Sequence, residues 1–145
     1  MSEEEMFQVG IKALIQNSKK EILMLHIPEW SGNQAHYDLP GGRIDKVEDF
    51  LDTLNRELKE EIGVSFTGHP KQLTAFKTNI TIPVASARVP LIFVIYEVEI
   101  VNPSNIKLDP NGREDKFGWF SPREAAKEMH YKFPAEFCEY IASLD

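Results

Sequence analysis

The sequence predicts an α/β fold in which a mixed sheet lies between helices. Three features of the chain indicate this. A Pro-Gly-Gly turn at residues 40–42 leads into a long amphipathic stretch, which is typical of a loop that opens a helix. Residues 91–96 form an uninterrupted apolar run, as expected for a central strand covered on both faces. Helix-start signals then occur at Ser121 and Pro134, and we expect those helices to cover the sheet.

Two strands are predicted before the glycine turn. Residues 6–16 alternate partly in polarity, a polar turn follows at residues 17–20, and residues 21–27 have the composition of a second strand. The short connection predicts that the second strand pairs back on the first.

Three aromatic side chains that precede the turn are candidate substrate contacts. Trp30 lies in a loop at residues 28–33, where an exposed indole can stack on a base. A partly buried anchor is the favoured interpretation of that residue. His36 and Tyr37 lie on a short strand, and either can face a substrate, although a lone histidine is more often merely surface or core.

The stretch from residue 46 to residue 62 predicts one helix. Asp45 is expected to cap it, with Glu48 at the third helical position in a capping box, and Gly63 supplies the left-handed end. Six apolar residues share one face at the 3-and-4 spacing, namely Val47, Phe50, Leu51, Leu54, Leu58 and Ile62.

Three glutamates lie on the arc of this helix beside the apolar stripe, with Glu61 nearest the stripe and Glu57 and Glu60 close by. Carboxylates crowded at the edge of a core repel one another and lose hydration, which is costly unless a cation joins them. Magnesium suits such a site because it takes oxygen ligands and a few carboxylates together with substrate phosphates. A carbonyl of the glycine turn can reach the same ion, so the pattern predicts a metal site for phosphate chemistry.

The spacing resembles a known family motif. Gly42, then Glu48 after five residues, then the run Arg56-Glu-Leu-Lys-Glu-Glu-Ile-Gly-Val64 after seven more match every specified position of the Nudix box, G-x5-E-x7-R-E-U-x-E-E-x-G-U. The match covers 23 of the 145 residues. The resemblance implies a Nudix-like α/β/α sandwich with a mixed central sheet. It also implies hydrolysis, dependent on Mg²⁺ or Mn²⁺, of a nucleoside diphosphate linked to another group.

Roles for the box residues follow from that resemblance. Glu60 and Glu61 are expected to hold metal directly, and Glu57 is expected to be a ligand or the base that activates water. The Gly41 carbonyl is expected to complete the metal shell, while Arg56 orients and supports the loop and helix. Glu48, Gly42 and Gly63 are expected to be structural.

An inert interpretation stays open for part of this set. Asp52, Arg56 and Glu60 follow i, i+4, i+8 spacing and can form an ordinary surface ion-pair ladder. For Arg56, a purely structural role and a role in the site carry equal weight. For Glu57, Glu60 and Glu61 together the inert interpretation is weak, because a random solvated face would not also carry both glycines at these intervals.

The chain after the box is predicted to run through a turn-rich link at residues 65–70 and a strand at residues 71–78. Residues 79–88 are expected to form an irregular edge or a loop that takes part in substrate selection. Residues 89–101 are the most apolar segment and predict the central strand. Residues 113–120 resemble the acidic segment and aromatic strand of many Nudix proteins, so Glu114, with Asp115 behind it, is a further candidate ligand or base. A surface loop is the equal alternative.

The composition sets limits on partners and location. The 145 residues predict one domain over residues 1–145. The net charge of −7 gives no general attraction to nucleic acid or anionic membrane, although a small nucleotide can still bind beside a cation. Three features predict a cytoplasmic protein: a single cysteine, a start without the basic front of a signal peptide, and the lack of an apolar run long enough to cross a bilayer. The cysteine, Cys138, is expected to be a buried thiol. A homodimer is an expectation from the family alone.

The sequence therefore predicts a metal-dependent pyrophosphohydrolase acting on a small nucleotide-type substrate. Two alternatives stay open: a Nudix-fold module that binds a nucleotide without cleaving it, and a scaffold protein in which the acidic cluster is inert. A pure binder has no chemical need for a third carboxylate. No set of residues outside the box is specific enough to indicate which of the nucleoside triphosphates, ADP-ribose, dinucleoside polyphosphates and related nucleotides is the substrate.

Overall fold

The computed structural model describes residues 4–145, and the first three residues of the acidic start lie outside that part. Within it the chain forms seven strands and three α-helices. In chain order they are β1 (Gln8–Leu14), β2 (Ile22–Ile27), β3 (His36–Asp38), β4 (Gly41–Arg43), α1 (Phe50–Ile62), β5 (Phe66–Val84), β6 (Ala87–Ile100), β7 (Lys116–Phe120), α2 (Pro122–Glu128) and α3 (Ala135–Ala142).

The strands form two sheets, which lie between two apolar clusters. The larger has the order β4-β1-β6-β5 and is mixed, since β1 runs parallel to β6 and antiparallel to β4. The smaller has the order β3-β2-β7 and is antiparallel. The predicted α/β fold with a mixed central sheet is confirmed.

Successive residues of the inner strands point to opposite faces, as the pleat of a strand requires. Ile22 and Met24 of β2 join Phe93 of β6 in a cluster with the two C-terminal helices. Leu23 and Val94 join a second cluster on the other side, together with Leu54, Leu58 and Ile62 of α1. Helices therefore cover both faces of the strand layer, which is the expected sandwich. Among residues 4–145, no helix has both the length and the apolar content needed to cross a bilayer.

The predicted pairing of β2 on β1 is wrong. The two strands make only an isolated bridge between Gln16 and Ile22 and then enter different sheets. Because helices cover both faces of the strand layer, both strands carry buried apolar residues on either face, and polarity alternation cannot identify the partner.

The predicted start of α1 is also wrong. The helix begins at Phe50, and its N-cap is Asp49, whose carboxylate accepts the N–H of Asp52 at 2.9 Å. Asp45 instead accepts the N–H of Val47 at 3.2 Å in a local turn. Val47 is 81% exposed, so the first part of the expected apolar stripe faces solvent. Gly63 ends the helix at φ 70°, as predicted.

The expected link and loop on either side of the strand at residues 71–78 are parts of one long hairpin. β5 runs from Phe66 to Val84 and pairs with β6, with irregular register near Gly68 and again between Lys77 and Thr81. It is an edge strand, as proposed for residues 79–88. Within that segment residues 79–84 belong to β5, residues 85–86 form the turn of the hairpin, and residues 87–88 begin β6. β6 lies inside the sheet, as predicted. Ser121 caps α2, Pro134 precedes α3, and the Cys138 thiol is buried, all as expected.

Candidate functional site

One cleft gathers side chains from both sheets, from α1 and from the segments before β7 and α3. Its volume is about 290 Å³. The polar residues among its lining include Lys12, Asn33, His36, Asp38, Arg43, Glu57, Glu61, Arg113, Glu114 and Lys132. Most of the predicted site residues therefore meet in one place.

The glycine turn forms one wall of the cleft. Gly41 has φ +132°, and an added Cβ would collide with the carbonyl of Ile11. At Gly42 an added Cβ would collide with the carboxyl group of Glu57. The N–H of Gly41 donates to the carboxylate of Glu61 at 2.8 Å. The two glycines thus let the backbone close onto two glutamates of α1.

Glu61 and Glu114 bring two carboxyl groups together at this wall. Burial, and then the adjoining carboxyl of Glu114, raise the pKa of Glu61 well above its ordinary value. Glu57 and the Gly41 carbonyl line the same cleft. An all-oxygen donor set with excess negative charge is the kind of site that Mg²⁺ or Mn²⁺ prefers, so these residues fit the expected metal.

Glu60 lies elsewhere. Its side chain is 59% exposed and lies outside the cleft lining, and its carboxylate accepts from Arg56 at 3.3 Å. Within residues 4–145, no three acidic, histidine or cysteine side chains already form a compact metal-binding group. The structure thus brings Glu57, Glu61 and Glu114 together and places Glu60 on the adjoining surface.

Arg56 connects the loop before α1 to the glutamates. Its Nε and Nη2 donate to the two carboxylate oxygens of Glu48 at 2.7 and 2.8 Å, and its Nη1 donates to Glu57 at 2.9 Å. The hydrogen bonds from Arg56 are the main reason why the pKa of Glu48 falls to about 2. Glu48 is thus held by this two-bond pair with Arg56, and it does not take part in a helix cap.

The cleft also contains a buried charge cluster that the sequence pattern does not predict. Lys12 and Lys132 both donate to one oxygen of Asp38, at 3.1 and 2.6 Å, and all three residues are at most 7% exposed. Although burial opposes the charged form, the two lysines hold the pKa of Asp38 far below its usual range. The only signal in the sequence is that Lys12 interrupts the apolar run of β1.

Lys12 also ties the cluster to the glycine turn. Its ammonium donates to the carbonyls of Leu39 and Gly41, each at 3.2 Å. Burial opposes its charge, but Asp38 and Glu61 raise the pKa of Lys12 above its ordinary value. The Gly41 carbonyl therefore already faces one cation, and its second lone pair stays available to a metal.

The three aromatic candidates have different positions. Trp30 is half-buried at the edge of the cleft, and the guanidinium of Arg113 lies 3.6 Å from the centre of its ring. His36 is buried in the cleft lining. Tyr37, on the opposite face of β3, contacts Phe120 and His26 and does not line the cleft. Asp115 pairs with His26 at 2.7 Å and so holds the segment that carries Glu114.

Comparison with protein families and curated proteins identifies the following similarities. A family model described as the NUDIX domain matches residues 6–141. The RNA pyrophosphohydrolase of Ruthia magnifica subsp. Calyptogena magnifica is 38% identical over 66 residues, which are 46% of this chain. The match spans 35% of that relative's length.

Solved structures resemble most of the chain or nearly all of it. The MutT protein from Methanosarcina mazei Go1 superposes with a TM-score of 0.68 at 25% identity, covering 99% of this chain and 96% of that one. The MutT NUDIX hydrolase from Burkholderia pseudomallei superposes with a TM-score of 0.66 at 22% identity, covering 81% and 85%. The second similarity concerns the fold alone.

Proposed function

The chain belongs to the NUDIX domain family, and from that premise we propose that it is a metal-dependent pyrophosphohydrolase. Its proposed substrate is a nucleoside diphosphate linked to another group, and water cleaves the bond between two phosphorus atoms. The observation that carries the proposal is the meeting of Glu57, Glu61, Glu114 and the Gly41 carbonyl in one cleft.

Glu61, Glu114, Glu57 and the Gly41 carbonyl are the groups that would hold Mg²⁺ or Mn²⁺. When bound, the ion offsets the negative charge that builds up on the phosphoryl oxygens. Glu60 joins the set if its carboxylate leaves Arg56 and turns toward the cleft. Lys12 adds a fixed positive charge behind the Gly41 carbonyl, where it favours a diphosphate over a neutral ligand.

Glu57 is the proposed base that takes a proton from the attacking water. Its carboxyl group faces the cleft, and Gly42 leaves room for it beside the turn. Arg56 is a positioning residue, because it contacts Glu57 and Glu48 but does not itself line the cleft. Removing Glu57 should therefore affect the chemical step, whereas removing Arg56 should affect the orientation of Glu57.

The finer expectations stay predictions. They are one domain over residues 1–145, a cytoplasmic location, a homodimer, and no general affinity for nucleic acid at a net charge of −7. The relative named RNA pyrophosphohydrolase makes the 5′ end of an RNA one substrate to include, even though the acidic balance disfavours binding along a long RNA.

A hydrolysis screen tests the proposal. The full chain is incubated with nucleoside triphosphates, ADP-ribose, dinucleoside polyphosphates, nucleotide sugars and a 5′-triphosphorylated RNA, with Mg²⁺ or with a chelator, and products are identified by mass. Metal-dependent cleavage between phosphorus atoms is expected. Binding of a nucleotide without any product would instead indicate a sensing module.

A further inference from the structure

Arg113 lies on the indole face of Trp30 at the edge of the cleft, and both residues belong to the cleft lining. The central carbon of the guanidinium is 3.6 Å from the centre of the indole ring. At that separation two flat groups are in van der Waals contact through their faces, because a steeply tilted guanidinium would push a nitrogen into the ring. The guanidinium therefore lies flat on the indole, and its N–H groups project outward around the rim of the stack.

These N–H groups are accessible and uncommitted. Arg113 is exposed, and within residues 4–145 its guanidinium has no hydrogen-bond or ion-pair partner. Arg56 and Arg88, by contrast, donate to a carboxylate and to backbone carbonyls. A guanidinium presents its N–H groups as a rigid fork that matches two oxygens of a carboxylate or a phosphate. Arg113 is thus an oriented donor whose acceptor is not supplied by the described part of the chain.

The loop that carries Trp30 is anchored on two sides. Trp30 and Asn33 exchange backbone hydrogen bonds at 3.0 and 2.9 Å. The Asn33 side chain donates to a carbonyl of β5 at 3.2 Å and accepts from the Tyr131 hydroxyl at 3.0 Å. Arg88, from the β5–β6 hairpin, donates to the carbonyl of the residue after Trp30 at 2.6 Å. A support fixed in this way holds Arg113 in place before a ligand arrives, which lowers the entropic cost of binding.

Apart from the three glutamates that are expected to hold metal, the cleft lining carries far more positive than negative charge. Its cations are Lys12, Arg43, Arg113 and Lys132, and its remaining acid is Asp38. Burial lowers the pKa of Lys132, and the nearby charges of Lys12 and Arg113 add to this effect. The cations of the cleft therefore act on one another, and an anionic ligand would relieve their repulsion.

The position of Arg113 along the chain places this donor beside the proposed metal site. Glu114 is the next residue, and its carboxyl adjoins that of Glu61. Both Arg113 and Glu114 line the same cleft. The two phosphates of a diphosphate are joined by a single oxygen, so neighbouring parts of one cleft can serve them separately. One short segment can therefore contribute to the metal site and also contact a phosphate.

We propose that Arg113, supported by Trp30, is a phosphate-binding residue of this cleft. Its free N–H fork donates to two oxygens of one substrate phosphate, and its charge offsets the charge on those oxygens. The inference rests on the proposed function, which supplies a substrate with at least two phosphates. It gives Trp30 a supporting role, because the guanidinium already covers an indole face on which a base would otherwise stack.

Calorimetric binding of methylenediphosphonate to the full chain, with Mg²⁺ in excess, tests the inference without turnover. In this diphosphate analogue a carbon replaces the bridging oxygen, so water cannot cleave it, and it carries no base. We expect Arg113→Gln to weaken binding roughly 10- to 100-fold. Arg113→Lys keeps the charge but lacks the planar fork, so it should recover only part of that loss. Arg123→Gln on α2, where the arginine side chain is 81% exposed, is the control and should leave binding unchanged.

Trp30 is tested in combination with Arg113. If the indole acts only by supporting the guanidinium, Trp30→Leu should weaken binding in the unaltered chain but have no further effect in the Arg113→Gln variant. Trp30→Phe keeps an aromatic face and should retain most of the affinity. Adenosine and guanosine, which carry no phosphate, should not distinguish the Arg113→Gln variant from the unaltered chain.

The outcomes separate the two hypotheses. Unchanged binding of methylenediphosphonate by Arg113→Gln, or no binding by the unaltered chain, would overturn the phosphate-binding inference even if the hydrolysis screen succeeds. A loss of adenosine or guanosine binding in Trp30→Leu, with or without Arg113, would overturn it as well, because the indole would then stack on the base. Binding of methylenediphosphonate that requires Arg113, in a chain that hydrolyses no nucleotide, would overturn only the proposed hydrolase.

Discussion

Arg56 holds both carboxylate oxygens of Glu48, at 2.7 and 2.8 Å, across eight residues of sequence. The same guanidinium donates to Glu57 at 2.9 Å. Two-bond arginine–carboxylate pairs fix direction as well as distance. Arg56 therefore links the loop that follows the glycine turn to the helix that carries the glutamates. Arg56 is also the residue next to the proposed base, Glu57.

The Arg56–Glu48 pair is expected to stabilise the fold at neutral pH and to lose this effect in acid. The pKa of Glu48 falls from its ordinary 4.5 to about 2 in the folded chain, mainly through its hydrogen bonds with Arg56. A carboxyl with a lowered pKa stabilises the fold fully above its unfolded pKa, and this stabilisation is lost as the pH falls from about 4.5 to about 2. Glu48→Gln should therefore lower the thermal midpoint at pH 7, and the difference from the unaltered chain should shrink below pH 4.5. Glu99→Gln, at an exposed position on β6, is the control and should show no such convergence.

Glu57→Gln keeps the shape and one hydrogen-bond acceptor for Arg56 but removes the base. We expect turnover at saturating Mg²⁺ to fall by roughly 10²- to 10⁴-fold. The thermal midpoint should change little, because the glutamine oxygen can still accept from Arg56. Turnover that survives the substitution would show that a different acid, with Glu114 as the first alternative, activates the water.

Glu60 and Glu61 offer a direct comparison of two neighbouring carboxylates. Glu61 faces the cleft and Glu114, whereas Glu60 lies on the surface with Arg56. In a titration of rate against Mg²⁺, Glu61→Gln should raise the half-maximal Mg²⁺ concentration more than Glu60→Gln does. Equal effects of the two substitutions would show that Glu60 turns into the cleft when the ion binds.

The sequence predicted the part of the site that is local along the chain. The glycine turn, the helix and its glutamates lie within one short segment, so their spacing determines which side chains share a face. Gly63 ends the helix as predicted, because a left-handed residue is a local requirement. The predicted start is wrong because Asp45 and Asp49 are both capable caps, and the local sequence does not distinguish them.

Long-range features could not be read in the same way. Lys12, Asp38 and Lys132 come from three distant segments, and nothing in the sequence near any one of them indicates the other two. The same limit explains the wrong partner for β2, since an apolar strand covered on both faces carries no sign of which neighbour it joins. His36 was identified as a candidate, but its unpaired Nε2 depends on the position of Gln34 and on burial.

Asp38→Asn tests whether the central cluster holds the fold together. The carboxylate is the shared counter-charge of two lysines, all nearly inaccessible to water. Removing one partner of a buried ion pair typically costs about 3–5 kcal/mol, because it leaves an uncompensated buried charge. We expect a loss of this size in the free energy of urea unfolding, with an unchanged slope against urea. The control Asp52→Asn, on the exposed face of α1, should change little.

Adding Lys132→Met to Asp38→Asn removes one of the cations left without a counter-charge, so the double variant should be more stable than the sum of the two single losses predicts. Simple additivity would mean that Lys132 and Asp38 contribute independently, and the cluster would then be no shared support for the cleft.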